Sequence, residues 1–471
     1  MSAPVDALSP LDASFLYMES DHTPMHMGSV GIFEGAPLRD AGGCLRIEEL
    51  RDEVASRLHL VPKLRKIVRF PLAGEATPVW VDDPDFDIAN HLREAALPDP
   101  GDEAQLLDFC AGLMSYRLDR AHPLWGIWLV DGLTGDRVAI VEMLHHAVAD
   151  GLAGVELATV LLDTRPRQPS HHPPDAWRPA PGPRRPASLW AGLARARDYF
   201  GRLAAGGWHV VRHPSRAPGV VGRYAGGFGD LLRSPAATPG CSLNTQVGFD
   251  RRALVVRQPL DGLLQAAHRF GVTFNDLLLT AVGAGVHDLL SARGEVMEGR
   301  QLHVLVPIGA AHHGNRRLGN ALSVMVVSVP ISAAPPLRRL RAVATAERSS
   351  KAHDQARAVR AVLDSLDAWP PATLAAATHV VHHQPLVNLV VTNVPGPDVP
   401  LYVLGSRMLD AIPFIPLGGN LSVGVAALSY AGRLSIGILC DPAACPDADV
   451  LAAGMERCFA ELVSSTPAVT A

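Results

Sequence analysis

The residues best suited to chemistry in this chain form one short run, Leu144-His145-His146-Ala147-Val148-Ala149-Asp150-Gly151. Its pattern is H-H-x-x-x-D-G, and it directly follows the apolar run Val138 to Leu144. Imidazole titrates near neutral pH, so it can take a proton from a hydroxyl and pass it on. A strand that ends in paired histidines puts that imidazole at the edge of an element, where a substrate can meet it. Asp150 stands four residues after His146, and if a helix begins here the two share a face. Asp150 would then orient the motif, either toward an imidazole or through a buried arginine. Gly151 permits a turn or a close backbone approach that a Cβ would block. Adjacent histidines alone carry little weight. The chain has 20 His, with further pairs at His171-His172, His312-His313 and His382-His383, and such pairs are mostly solvated or structurally satisfied. Only the pair at 145 and 146 has Asp and Gly at this spacing after a strand.

Other chemistries find little support. No G-x-S-x-G is present, which argues against a lipase-type serine nucleophile. No H-E-x-x-H and no paired cysteine set occurs, so no metal is expected. Gly283-Ala284-Gly285 lies inside a helical pattern, lacks a third glycine and follows no strand, so it is not read as a dinucleotide loop. No cofactor is expected.

The motif resembles that of the acyl-CoA-dependent acyltransferases: chloramphenicol acetyltransferase, the condensation domains of peptide synthetases, and the bacterial wax ester synthase/diacylglycerol acyltransferases. The flanking residues resemble the last group. They are Pro10-Leu11-Asp12-Ala13-Ser14-Phe15-Leu16, then Met25-His26-Met27-Gly28, then Asp85-Phe86-Asp87 with His91. Arg117-Leu118-Asp119-Arg120 leads to Pro123-Leu124-Trp125, and Asn275-Asp276-Leu277-Leu278-Leu279, Gly319-Asn320 and Thr392-Asn393-Val394-Pro395-Gly396-Pro397 follow in the family's order. The resemblance runs from about residue 10 to about 460. Two positions depart from it. Gly126 stands where the family commonly has an acidic residue, and Ile308-Gly309-Ala310-Ala311 replaces a segment that usually ends in Ser-x-Arg.

The resemblance implies an α/β fold of two chloramphenicol-acetyltransferase-like subdomains, each a mixed sheet with flanking helices. It implies an active-site channel at their interface. It makes His146 the base, His145 a geometric support and Asp150 a structural clamp rather than a charge relay. Gly151, Asn275, Asp276, Pro123, Leu124 and Trp125 are carried over as substrate-binding or structural, with Asn275 near the acceptor or the oxyanion. The expected substrates are acyl-CoA with diacylglycerol or a long-chain alcohol. The alternatives are a condensation-type transferase fed by a carrier-protein thioester, and an inactive lipid-binding member.

The elements that must position the motif are legible in outline. Trp125 to Asp131 and Asp136 to Leu144 are strand-like runs around Gly132-Leu133-Thr134-Gly135, a hairpin signal with the His pair at its exit. Ile47, Leu50, Val54 and Leu58 give Leu45 to Leu60 a helical spacing. Thr273 to Ser291 reads as a helix with Thr273 as cap and Asp276 in its first turn, so the local role for Asn275 and Asp276 is capping. Val304 to Pro307, Ser323 to Pro330, Val387 to Thr392 and Leu434 to Leu439 read as strands.

Three segments are expected along the 471 residues: an N-terminal subdomain over 1–163, a crossover with an amphipathic helix over 164–240, and a C-terminal subdomain over 241–471. The crossover is marked by eight Pro between Thr164 and Pro186, which forbid regular core elements there. From Ala187 to Val211, Leu189, Trp190, Leu193, Ala196, Phe200 and Leu203 form an apolar stripe flanked by Arg. That stripe suits a helix packed on the protein surface or one lying on an acidic membrane or lipid droplet. The net charge of -5 gives no reason to expect nucleic acid. The six cysteines are scattered, and no apolar run is long enough to span a bilayer. With no apolar leader at the N-terminus, the expectation is a cytoplasmic protein held peripherally at the inner membrane face or on lipid droplets.

Overall fold

The computed structural model describes residues 6–70, 78–149, 162–166, 177–180, 197, 201, 240–296, 298–309, 322–352, 373–376, 378 and 383–465. In chain order the first strands are β1 (Asp6–Ala7), β2 (His26–Glu34), β3 (Lys66–Arg69), β4 (Val79–Asp82), β5 (Leu92–Ala96), β6 (Trp125–Leu133) and β7 (Arg137–His145). The later ones are β8 (Arg252–Pro259), β9 (Gln301–Gly309), β10 (Leu322–Pro330), β11 (Leu389–Pro395), β12 (Tyr402–Val403), β13 (Ser406–Phe414), β14 (Val423–Tyr430) and β15 (Arg433–Cys440). The helices are α1 (Pro10–Met18), α2 (Ile47–Arg57), α3 (Glu103–Ser115), α4 (Leu260–Phe270), α5 (Phe274–Ala292), α6 (Pro336–Ala352) and α7 (Ala448–Ser464).

Two six-stranded sheets result, ordered β12-β13-β2-β7-β6-β5 and β10-β9-β11-β14-β15-β8, with a small third sheet β1-β4-β3. Both large sheets are mixed: β5 runs parallel to β6, and β11 runs parallel to both β9 and β14. This is the α/β fold with mixed sheets that the resemblance implies. The hairpin expected around Gly132 to Gly135 is β6–β7; the strands expected over 304–307, 323–330 and 434–439 fall within β9, β10 and β15, and the one expected over 387–392 starts two residues before β11. The helix expected over 45–60 is α2, closed by a short 3-10 turn at Leu58–Leu60.

β7 is central in its sheet, flanked by β2 and β6, and nearly all its positions are buried. That explains its unbroken apolar run, since a strand covered on both faces needs no polar alternation. One core cluster packs α2 on the first sheet, a second packs α4, α5 and α7 on the second sheet, and a third joins α3 and the first sheet to Ala253 and Leu439 of the second.

The sheets are not divided as the chain is. β13 pairs antiparallel with β2, from Met408 opposite Phe33 to Phe414 opposite Gly28. Two strands from beyond residue 400 therefore complete the first sheet. The three segments expected over 1–163, 164–240 and 241–471 describe chain order and not sheet membership. The sheets also cross closely where β13 meets β15. A Cβ on Gly437 would lie 1.9 Å from the Pro413 carbonyl oxygen, so only glycine lets the backbones approach. Nearby, Arg257 on β8 reaches Asp410 on β13 at 2.6 Å and Glu103 on α3 at 2.6 Å, tying the halves together.

Candidate active site

The His pair stands where β7 ends. His145 lies opposite His26 on β2, and Leu144 lies opposite Trp125 on β6. Backbone bonds hold both residues from two sides: His145 N–H donates to Leu124 O at 3.0 Å, and His146 N–H donates to Met25 O at 2.9 Å. Pro123, Leu124 and Trp125 are buried, and Trp125 also lines the cavity described below. The Trp125 indole N–H donates to Leu64 O at 2.7 Å, and its ring stacks on His91 at 4.4 Å between centroids. His91 Nδ1 in turn donates to Trp125 O at 2.9 Å.

The two imidazoles have different surroundings. His145 is fully buried, and its Nδ1 accepts the Ala147 N–H at 3.0 Å. An accepting Nδ1 leaves the proton of a neutral ring on Nε2. That atom faces Glu19 Oε1 at 3.4 Å. The other Glu19 oxygen accepts from Arg120 Nη2 at 2.8 Å and Nε at 3.1 Å, and Arg120 Nη2 also donates to Leu16 O at 2.7 Å. Burial alone would raise the Glu19 pKa, yet His145 and Arg120 together hold it down to about 2. An ionised carboxylate therefore sits behind His145.

His146 faces the other way, into a cavity of about 350 Å³ between the two large sheets. One wall comes from β2, β6, β7 and β13, the other from β9, β11 and β14, and the lining is mostly apolar. The ring stacks on Phe15 with 4.7 Å between centroids and 15° between planes. Burial, and after it the charge of His145, lowers the His146 pKa to about 3, so the imidazole is neutral at physiological pH and keeps a lone pair for a proton.

One helix arranges both. α1 starts with Ser9, whose Oγ accepts the Asp12 N–H at 3.0 Å, and has Pro10 at its first position. Phe15 and Glu19 are four residues apart and share a face. The same face thus sets an aromatic ring against His146 and a carboxylate against His145. Lys63, one of three lysines in the chain, donates to Ala147 O at 3.2 Å and Val148 O at 2.8 Å and so braces the turn that follows the His pair.

His26, Glu19, Phe15 and Lys63 had no assigned part in the sequence reading. Phe15, His26 and Arg120 stood within the quoted motifs, but no local spacing announces a Glu19–Arg120 pair 101 residues apart. His26 is fully exposed to neither solvent nor a partner: it is buried, and among the described residues neither ring nitrogen has a hydrogen bond. Burial lowers its pKa to about 3.

Other expected positions lie elsewhere. Asp150 and Gly151 fall outside the described residues, as do Gly319-Asn320 and Ala310-Ala311. Of the stripe over 187–211, only residues 197 and 201 are described. Thr273 caps α5, with a reciprocal pair of bonds to Asp276, which is the capping role read from the spacing. Asn275 Nδ2 donates to Glu347 at 3.4 Å, and neither Asn275 nor Asp276 lines the cavity. Gly285, part of the rejected dinucleotide pattern, is a packing residue: a Cβ there would lie 2.4 Å from Leu451 O on α7. Among the described residues no His, Cys, Asp and Glu group could hold a metal, and all six cysteines are free.

A neutral imidazole on the wall of a mostly apolar cavity between two sheets can take a proton from a hydroxyl. A Mycobacterium tuberculosis protein named "Probable diacyglycerol O-acyltransferase tgs1" is 32% identical over 477 residues, covering 97% of this chain and 96% of that protein. The fold is shared with a wax ester synthase/diacylglycerol acyltransferase from Marinobacter aquaeolei VT8, at 21% identity, a TM-score of 0.66, and coverage of 97% and 98%. It is shared too with the first condensation domain of the calcium-dependent antibiotic synthetase, at 16% identity, a TM-score of 0.62, and coverage of 99% and 98%. The wax ester synthase/diacylglycerol acyltransferase catalytic-domain model matches residues 8–278, and the C-terminal-domain model of the same family matches residues 318–463. The chain belongs to the wax ester synthase/diacylglycerol acyltransferase family, and its activity is O-acyl transfer that makes triacylglycerol or wax ester.

Proposed function

We propose that the acyl donor is acyl-CoA and that His146 is the general base. The observation that carries this is the neutral His146 ring on the wall of a mostly apolar cavity. A thioester is already activated, so no covalent enzyme intermediate is needed. His146 takes the proton from the hydroxyl of diacylglycerol or of a long-chain alcohol. The oxygen attacks the thioester carbonyl carbon, the C–S bond breaks, and the coenzyme A sulfur leaves with the proton that His146 returns. No cofactor takes part. His145, held by Glu19 from the end of α1, positions the base beside it, and Asp150 acts as a structural clamp on the motif.

The first test is purified protein with a panel of acyl-CoAs and with diacylglycerol or hexadecanol, following thiol release. Turnover with acyl-CoA supports the reading. Turnover only with a carrier-bound thioester would favour a condensation-type enzyme, whose fold this chain shares.

We also infer that the protein works at a lipid surface. No described helix is long and apolar enough to cross a membrane, and both acceptors are lipids. Arginine attraction to anionic headgroups is screened by salt. Flotation with anionic liposomes, partly reversed by salt, is the expected outcome; a protein that stays with the soluble fraction at low salt would refute the inference.

A further inference from the structure

The cavity wall carries one acidic side chain that the chemistry above does not use. Glu142 lies on β7, on the face shared by Ile140 and Leu144, which also line the cavity. Its cross-strand neighbours are Ser29 on β2 and Ile127 on β6, both lining the same space. Ser29 Oγ donates to Glu142 Oε2 at 3.3 Å. Among the described residues no hydrogen bond within the protein engages Oε1, and no Lys or Arg forms an ion pair with the carboxyl. A carboxylate here would lose hydration with no countercharge in return. Burial accordingly pushes its pKa up. Burial thus favours the protonated acid, whose O–H can donate a hydrogen bond.

Acyl transfer itself has no need of this group. Glu142 and His146 line the same cavity, Glu142 on β7 and His146 just beyond its end. An acceptor with its hydroxyl at His146 brings the groups next to that hydroxyl onto this wall. The two acceptor classes differ in what they present there. A diacylglycerol has ester carbonyls beside its hydroxyl, whereas a fatty alcohol has none.

We propose that Glu142 is an acceptor-specificity residue: its carboxyl O–H donates a hydrogen bond to an ester carbonyl of diacylglycerol, and the channel thereby favours glycerides over fatty alcohols. The inference rests on the reading that diacylglycerol enters this cavity. A site built to hydrogen-bond a substrate group rejects the analogue that lacks it, because the site's own polar group is then left unpaired.

The test uses one acyl-CoA and three acceptors: dioleoylglycerol, its dioleyl ether analogue, which lacks both carbonyls, and hexadecanol. The wild-type protein prefers the diester to the diether by about tenfold in kcat/KM, the scale of one lost neutral hydrogen bond to a buried donor. Glu142→Leu lowers kcat/KM for the diester by about tenfold and erases the ester-to-ether ratio, with diether and hexadecanol held within about twofold. Glu142→Gln keeps a donor and restores most of the preference. The KM for acyl-CoA does not change in either variant. The inference is overturned if the wild-type protein treats diester and diether alike, a comparison that needs no variant. It is overturned equally if Glu142→Leu, folded by its melting temperature, lowers all three acceptors together. Absence of thiol release from the wild-type protein with every acceptor would instead remove the acyl-CoA reading, and this inference with it.

Discussion

The two six-stranded sheets face each other across one cavity and are built on opposite terms. The first ends, at the motif, in polar groups: buried Glu19, His26 and His145, with the partly exposed Arg120, cluster behind the strand that delivers His146. The second presents mostly apolar residues of β9, β11 and β14 to the cavity, with Thr392, Asn393 and Ser429 among them, and behind it α5 and α7 pack through an apolar core. Burying charge is costly unless it is paired, and buried pairs seldom add stability over an apolar replacement. The first sheet accepts that cost where a proton must be handled. The second supplies shape. The lesson is that a shared fold does not spread chemistry evenly: one sheet holds the reactive group and Glu142, and the other closes the cavity opposite them.

Four measurements break or sharpen that contrast. The largest effect is expected at His146. His146→Ala should lower thiol release by about 10²–10⁴, the range for loss of a general base, in a protein that still melts cooperatively. Full activity in that variant would remove the base from the mechanism. Next comes the ion pair behind it. Arg120→Met leaves the buried Glu19 carboxylate without its cation and should cost roughly 2 kcal/mol of stability, below the range for a fully buried pair because Arg120 is itself partly exposed, with a parallel loss of activity. A variant that unfolds at the wild-type denaturant midpoint would show that the cluster is not charged as drawn.

The second sheet should respond differently. Gly437→Ala drives a Cβ into the Pro413 carbonyl and should cost about 2 kcal/mol through overpacking. Its loss of turnover should track unfolding alone. Lost turnover in a fully stable Gly437→Ala protein would mean that the second sheet does more than shape the cavity. The smallest effect is in pH. The folded-state pKa values of His26 and His146 lie at about 3, below the ordinary 6.5. Folding therefore favours the neutral rings, and that stability is complete above pH 6.5 and is lost as pH falls from there toward 3. Glu19, lowered from 4.5 to about 2, adds a further loss only below pH 4.5. Melting temperature should be flat from pH 7 upward and decline below about 6.5, with His26→Leu reducing the slope. An unchanged slope in His26→Leu would clear His26 of that role.

What was legible in the sequence follows from what is local. The β6–β7 hairpin has glycines at its turn and apolar flanks, and α5 has a Thr273 cap three residues before Asp276, so both are written in adjacent residues. The His146 ring at a strand exit was legible for the same reason. Glu19 behind His145 was not, because that contact joins α1 to β7 through tertiary packing. Neither was Glu142. Within an apolar strand it reads as a surface residue, and only the pairing of β7 with both β2 and β6 turns it into a wall of the cavity. The membership of β13 in the first sheet is likewise invisible to any local pattern, since its partner lies near the other end of the chain.

That last pairing has a consequence for how the molecule comes into being. β2 cannot gain its second neighbour until residue 414 exists, although β2 itself is complete by residue 34. During synthesis the first sheet must wait with one edge of β2 open while several hundred residues are added. Contacts of such sequence separation form late and slowly, and exposed strand edges invite wrong partners in the interval. The cavity wall that β13 contributes is therefore among the last surfaces to be made, and a chain that ends before β13 carries the His pair without that wall.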